Sequence, residues 1–154
     1  MKIRTAVPGD LKVIADFNIK LAQESESLKL DAQTVTAGVA AVLNDESKGI
    51  YFLAETAGVV VGQLMITHEW SDWRNGDIWW IQSVYVNEAF RGNGVFKALF
   101  QHVETLARES GEVCALRLYM EKHNERARRA YQKLGMKETA YEVLEFAIFD
   151  QAAG

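Results

Sequence analysis

Cysteine and proline are nearly absent from this sequence of 154 residues. The single cysteine, Cys114, excludes an internal disulfide and favours a reducing compartment. The single proline, Pro8, and the lack of any Ser/Gly-rich stretch leave no room for an interdomain linker. One domain over residues 1–150, with 151–154 as a tail, is the expectation. No apolar run approaches the roughly 20 residues that a membrane-spanning helix needs. The first residues, Met1 to Thr5, carry positive charge with no apolar stretch behind it, so no secretory signal is read. Lys and Arg number 17 against 21 Asp and Glu, a formal charge of -4, which gives no broad attraction to phosphate backbones. The three histidines show no metal-ligand spacing. These absences predict a soluble cytoplasmic protein with no metal, no nucleic acid and no membrane.

What is present is an average globular composition, 49% hydrophobic and 25% charged, in which hydrophobic periodicity switches along the chain. Residues 2–6 read as a strand. Pro8 suits a first helical turn, Asp10 the positive end of its dipole, and Leu11, Ile14, Phe17 and Leu21 recur at helical spacing, predicting a helix over 8–24. After a loop at 25–31, Val35, Val39, Val42 and Leu43 predict a second helix over 33–46. Strands are predicted at 50–56 and 59–69 about Ala57-Gly58. Asn75-Gly76 gives the stronger type I′ hairpin signal, before an aromatic-rich strand at 77–86. A helix to about 110, stopped at Ser110-Gly111, precedes a strand at 113–119. Next come a helix over 124–134 ended by Gly135, and an extended stretch at 136–149 containing at least one strand. The order is β-α-α-β-β-β-α-β-α-β, a mixed α/β plan with an antiparallel meander and a βαβ-like crossover at 77–119.

The sharpest local signal is Arg91-Gly92-Asn93-Gly94 between a strand and a helix. Glycines admit close backbone approach, and amides at a helix N-terminus bind anions, so a phosphate or pyrophosphate fits, with Arg91 and Lys97 as nearby charge. A plain strand-to-helix turn is the alternative. A Rossmann fingerprint would need glycine at 97, which is Lys97, and no Gly-Lys-Ser/Thr of a Walker A loop occurs.

Taken with the C-terminal half, the sequence resembles the GNAT superfamily of N-acetyltransferases, which use acetyl-coenzyme A. Its acyl-CoA loop pattern, [Q/R]-x-x-G-x-[G/A], is met by Arg91 and Gly94, with Phe96 in place of the last small residue. At the places of its second block, roughly N-x-x-A-x-x-[F/Y]-Y-x-x-x-G-[F], the chain has Asn124, Ala127, Ala130, Tyr131, Leu134, Gly135 and Met136. The segment from Trp70 to Val86 is loosely similar to the spermidine/spermine acetyltransferase branch. The resemblance implies a mostly antiparallel central sheet with a splayed fourth and fifth strand pair, about four helices and a homodimer.

It also implies a chemistry. Arg91, Gly92, Asn93, Gly94, Val95 and Phe96 hold the pyrophosphate, edge groups of Val84, Tyr85 and Val86 pair with the pantetheine arm, and Asn124 adds a hydrogen bond to that arm. A backbone N–H of strand 82–86 polarises the thioester oxygen, and Tyr131 protonates the leaving thiolate. The polyamine branch carries a Glu base on the fourth strand, where this chain has Gln82. Glu24 and Glu26, placed in the loop after the first helix, are the substitutes considered, together with His68, Glu69 and Asp72. The implied function is transfer of an acetyl group from acetyl-CoA to a primary amine of a small molecule. A catalytically weak acyl-CoA-binding sensor and a generic phosphate-loop protein are the rivals.

Other residues read more plainly. His102 shares a helix face with Val95, Leu99 and Leu106 and is expected to pack. Cys114 is expected to be an inert buried thiol. Of Trp79 and Trp80 one should face the core and the other a substrate cleft, and Trp79 is carried as a substrate candidate. Trp70 and Trp73 flank a hairpin tip. Arg126, Arg128, Arg129 and Lys133 read as a solvated helix face, with the 3′-phosphate of the cofactor as the alternative role.

Overall fold

The computed structural model describes residues 1–149; the expected tail at 151–154 lies outside them. Strand β1 (Lys2–Thr5) leads into a 3-10 turn at Pro8–Asp10 and helix α1 (Leu11–Glu26). Asp10 ties this corner together. Its carboxylate accepts from the Val7 amide at 2.8 Å and takes both ends of the Arg4 guanidinium at 2.8 and 2.9 Å. Ser27, in the left-handed region at φ 53, ends α1. Helix α2 (Ala32–Asn44) starts on Asp31, whose carboxylate accepts from the Thr34 amide at 2.9 Å, an N-cap of the usual kind.

Strands β2 (Ile50–Thr56), β3 (Val59–Ser71) and β4 (Gly76–Val86) form the expected antiparallel meander. The two-residue hairpin falls at Ala57-Gly58, where Thr56 pairs with Val59 and both turn residues have positive φ, 51 and 77. Asn75-Gly76 is not the type I′ turn the sequence suggests. Ser71 pairs with Gly76, so the connection is the four residues 72–75, and Asn75 alone is left-handed, at φ 47. Helix α3 (Val95–Ser110) crosses over to β5 (Val113–Leu118), and α4 (Glu125–Lys133) follows, capped by Asn124 through the Ala127 amide at 3.1 Å. The sheet order is β1-β2-β3-β4-β5, with β4 and β5 parallel.

Period-2 alternation divides two cores. Tyr51, Leu53 and Met65 pack with Ile14 and Val39 under α1 and α2. Phe52, Leu64, Ile66 and Ile81 pack with Leu99 and Val103 of α3 on the other face. His102 sits at the margin of that second core, edge-on to Phe52 at 5.2 Å.

Two expectations fail at the far edge. No strand forms among the described residues of 136–149, and Tyr141, Val143, Leu144, Phe146, Ile148 and Phe149 are exposed. Cys114 is exposed rather than buried, because β5 is the edge strand of this sheet. No helix of the described residues is long and apolar enough to cross a membrane.

Candidate active site

The ladder between β4 and β5 runs from Asp77 opposite Val113 to Ile81 opposite Leu118 and then stops. Beyond Ile81, β4 continues for five residues paired only to β3, so its other edge opens into a wedge. Inside that stretch the β3–β4 register shifts. Gln63 faces Tyr85 and Met65 faces Gln82, which leaves Leu64 opposite both Ser83 and Val84. Ser83 is driven to φ 50, a conformation that a residue with a Cβ rarely adopts. A bulge here re-aims the main chain of residues 83–84 out of the ladder.

The glycine loop closes the mouth of the wedge. Gly92 and Gly94 are left-handed at φ 81 and 76, and Gly94 is the N-cap of α3. Among the described residues no protein acceptor meets the amides of Gly92 through Lys97; the first helical bond runs from Ala98 to the Gly94 carbonyl. Six donors at the positive end of a 16-residue helix form an anion cradle. The helix is pressed close to the sheet there, since a Cβ added at Gly62 of β3 would lie 2.7 Å from Val95.

Arg91 does not extend toward those amides. Its guanidinium donates to Glu24 at 2.6 Å and to the Val86 carbonyl at 2.9 Å, over the Tyr85 ring at 5.4 Å. It braces the loop against α1, and Lys97 remains the exposed cation beside the cradle. Phe96, the departure from the small residue of the loop pattern, turns onto α3 and α4. Its ring lies 6.1 Å from Phe100 and 5.5 Å, edge-on, from Tyr131. Burial pushes the Tyr131 phenol above its ordinary pKa, which keeps it a proton donor at neutral pH.

The expected bases fare differently. Glu24 and Glu26 lie in the last turn of α1, not in a loop after it. Glu24 accepts from the Tyr85 hydroxyl at 2.5 Å as well as from Arg91, and these two bonds hold its carboxyl below the usual range, a poor property for a base. Burial, then Glu24, pushes the Tyr85 phenol up to about 12. Glu26 is exposed. Gln82 donates to the Thr67 hydroxyl at 2.6 Å. Glu69 pairs with Ile78 and His68 with Trp79, four and three residues before Gln82, so at about 3.4 Å per residue they stand ~14 and ~10 Å down the strand. Asp72 lies farther still, in the 72–75 connection.

Of the tryptophans, Trp79 is half-buried against the α3 core and donates to Asp77 at 3.2 Å. Trp80 takes the other face, donating to Glu69 at 2.9 Å and stacking on Tyr119 at 4.5 Å. Trp70 and Trp73 are exposed. Arg128 is tied to Glu125 and Glu138, whereas Arg126, Arg129 and Lys133 are exposed.

Sequence reading missed a polar cluster beneath the bulge. Fully buried Gln63 donates to Asn18 at 2.9 Å and to the Ser83 carbonyl at 3.1 Å, and Asn18 donates to the Tyr51 hydroxyl at 3.1 Å. The Gln63 side-chain oxygen has no partner among the described residues. The available signal was a lone glutamine within the apolar run Val59 to Ile66.

Comparison with known proteins bears on this geometry. The model of the acetyltransferase (GNAT) family matches residues 18–136, and the chain belongs to that family. The crystal structure of a possible acetyltransferase from Clostridium difficile 630 is 42% identical, with TM-score 0.91, over 97% of this chain and 98% of that one. A predicted acetyltransferase from Clostridium acetobutylicum, solved with acetyl-CoA, shares the fold at 19% identity and TM-score 0.77 over 96% of each chain. So does a ribosomal-protein-alanine N-acetyltransferase from Brucella melitensis biovar Abortus 2308, at 19% identity and TM-score 0.75, over 95% of this chain and 99% of that one. No curated protein matches the chain. Acetyl-CoA is the family's acyl donor, and the cradle of unpaired amides beside an open strand edge suits its diphosphate and its amide-bearing arm.

Proposed function

We propose that this chain transfers an acetyl group from acetyl-CoA to the primary amine of a small molecule, by direct attack, in the cytoplasm. The observation that carries this reading is the parting of β4 from β5 after Ile81, next to six unpaired amides. When bound, acetyl-CoA supplies an activated acyl group on a sulfur leaving group. The amides of Gly92 to Lys97 hold the diphosphate, and the open edge of Val84 to Val86 aligns the arm. The main chain at the Ser83–Val84 bulge donates to the acyl oxygen, an interaction strengthened in a site that excludes water. Tyr131 donates its proton to the departing sulfur. Asn124 caps α4 and so fixes the helix that carries Tyr131.

Among the described residues Glu24 is already bonded to Tyr85 and Arg91, so the amine attacks in its neutral form and sheds its proton to solvent. Calorimetric titration with acetyl-CoA and a free-thiol release screen over amines, polyamines, amino acids and peptides test the reading. Tyr131→Phe keeps the ring contact with Phe96 and should preserve binding while lowering kcat by ~10²-fold or more. Tight binding without turnover on any amine would identify an acyl-CoA-binding module. Unchanged turnover in Tyr131→Phe would remove Tyr131 from the mechanism.

A further inference from the structure

We infer that the amine accepted by this chain carries a carboxylate at its far end, held by Arg117 of β5, with the stacked rings of Trp80 and Tyr119 flooring the chain between. This rests on the acetyl-transfer reading and names the class of its acceptor. The observation behind it is an unused charge. The Arg117 side chain is 18% exposed, yet its guanidinium makes no hydrogen bond among the described residues. Its one ion pair there is to Glu69 Oε2 at 3.9 Å, too long for a hydrogen bond. The other oxygen of Glu69 is taken by the Trp80 indole at 2.9 Å, which holds the carboxylate off.

A charge kept largely out of water calls for a partner. The Arg117 guanidinium lies 6.0 Å from the Trp80 ring centroid and 5.7 Å from that of Tyr141, so aromatic rings shelter it. A planar fork of N–H donors matches the two oxygens of a carboxylate. A phosphate dianion suits it less, because Glu69 stands beside the fork.

Position ties that anion to the acceptor. Arg117 is opposite Trp80, one step before the β4–β5 ladder stops at Ile81 and Leu118. Trp80 and Gln82 share one face of the sheet by alternation, whereas Trp79, Ile81, Leu116 and Leu118 pack on the α3 side. Tyr131 reaches the wedge from the α3 side, against Phe96. The proton donor for the leaving sulfur and the guanidinium therefore flank the wedge from opposite faces. One groove of about 970 Å³ joins them, lined by Trp80, Arg117 and Tyr119 from one face and by Phe100 and Tyr131 from the other.

Spacing sets the length of the acceptor. Trp80 precedes Gln82 by two residues and Ser83 by three, so at about 3.4 Å per residue the register places Arg117 ~7–10 Å from the bulge. Tyr119 lies between, two residues past Arg117 toward the wedge, stacked on Trp80 at 4.5 Å. An α-amino group is too near its own carboxylate to span this gap. The terminal amine of an ω-amino acid, or the side-chain amine of a basic amino acid, spans it. A polyamine offers Arg117 nothing.

Free-thiol release should be followed with glycine, β-alanine and the ω-amino acids up to 6-aminohexanoate, each beside its carboxamide. kcat/KM should rise along the acids, and the longest should exceed its amide by ~10–100-fold. Arg117→Gln should erase that preference, and Arg117→Lys, which keeps the charge without the fork, should restore part of it. Hexanoate, which has no amine, should bind the chain saturated with CoA in calorimetry and fail to bind Arg117→Gln. Equal rates for acids and amides, turnover confined to polyamines, or hexanoate binding that survives Arg117→Gln would each overturn the inference. The acid–amide comparison uses the unaltered chain, so it decides even if Arg117→Gln does not fold. Hexanoate binding that needs Arg117, with no turnover on any amine, would uphold the carboxylate site and remove the acetyl-transfer reading instead.

Discussion

Gly62→Ala tests how closely the anion cradle depends on the packing of α3. The new methyl would lie 2.7 Å from Val95 Cγ1, 3.2 Å from the Tyr85 carbonyl oxygen and 3.7 Å from Leu99 Cδ1. Carbon atoms settle at ~3.5–4.0 Å, so Val95 must retreat by about 1 Å. It cannot do so by changing rotamer cheaply, being 4% exposed and β-branched in a helix. The strain therefore passes to the backbone of the first turn, which carries the unpaired amides. Overpacking of this kind costs ~1–3 kcal/mol. For a domain of this length that lowers Tm by roughly 2–10 °C. A displacement of the donors that sacrifices about 1.4 kcal/mol of binding weakens acetyl-CoA ~10-fold. Thermal unfolding and calorimetric Kd measure both. Adding Val95→Ala removes the clashing carbon, so Gly62→Ala/Val95→Ala should regain most of the acetyl-CoA affinity. Val95→Ala alone should lose stability through its cavity. If Gly62→Ala leaves Tm and Kd unmoved, or if Val95→Ala fails to restore binding, the close approach is not what positions the loop.

Asp10→Asn should lower stability by ~1–3 kcal/mol at neutral pH, since it removes the charged acceptor of two Arg4 bonds. Arg4 holds the Asp10 carboxyl below the ordinary aspartate value. This contribution is therefore fully present above that value and fades as pH falls through the lower, folded one, so the two unfolding curves should converge in acid. Glu24→Gln should leave the acid limb of the kcat/KM profile in place, because Glu24 is already ionised and bonded. The rate should instead climb one decade per pH unit toward the pKa of the amine. An acid limb that vanishes in Glu24→Gln would make Glu24 the base.

The glycine loop, the aromatic fourth strand and the five strands of the sheet were legible because each is written in a local pattern. The parting of β4 from β5 was expected only from resemblance, since a register that stops at Ile81 leaves no mark on single residues. Asn75-Gly76 outranked Ala57-Gly58 as a hairpin by turn preference, but register decided otherwise: β3 extends to Ser71, leaving four residues to bridge. Glu24 and Glu26 were placed in a loop because α1 has no helix breaker there, and only the left-handed Ser27 marks its end. Cys114 was read as buried from its apolar neighbours, which is right for a central strand and wrong for an edge. Gln63 and Asn18 are 45 residues apart, and no local rule joins them.

The unpaired donors from Gly92 to Lys97 belong to the main chain, and that shapes how this scaffold tolerates change. A side-chain replacement cannot delete a peptide N–H unless the newcomer is proline. On the proposed reading, grip on the acyl carrier is thus insulated from most point mutations, while side chains that meet the acceptor stay free to be recut for a different amine. One framework can shed one acceptor and gain another without ever losing its donor.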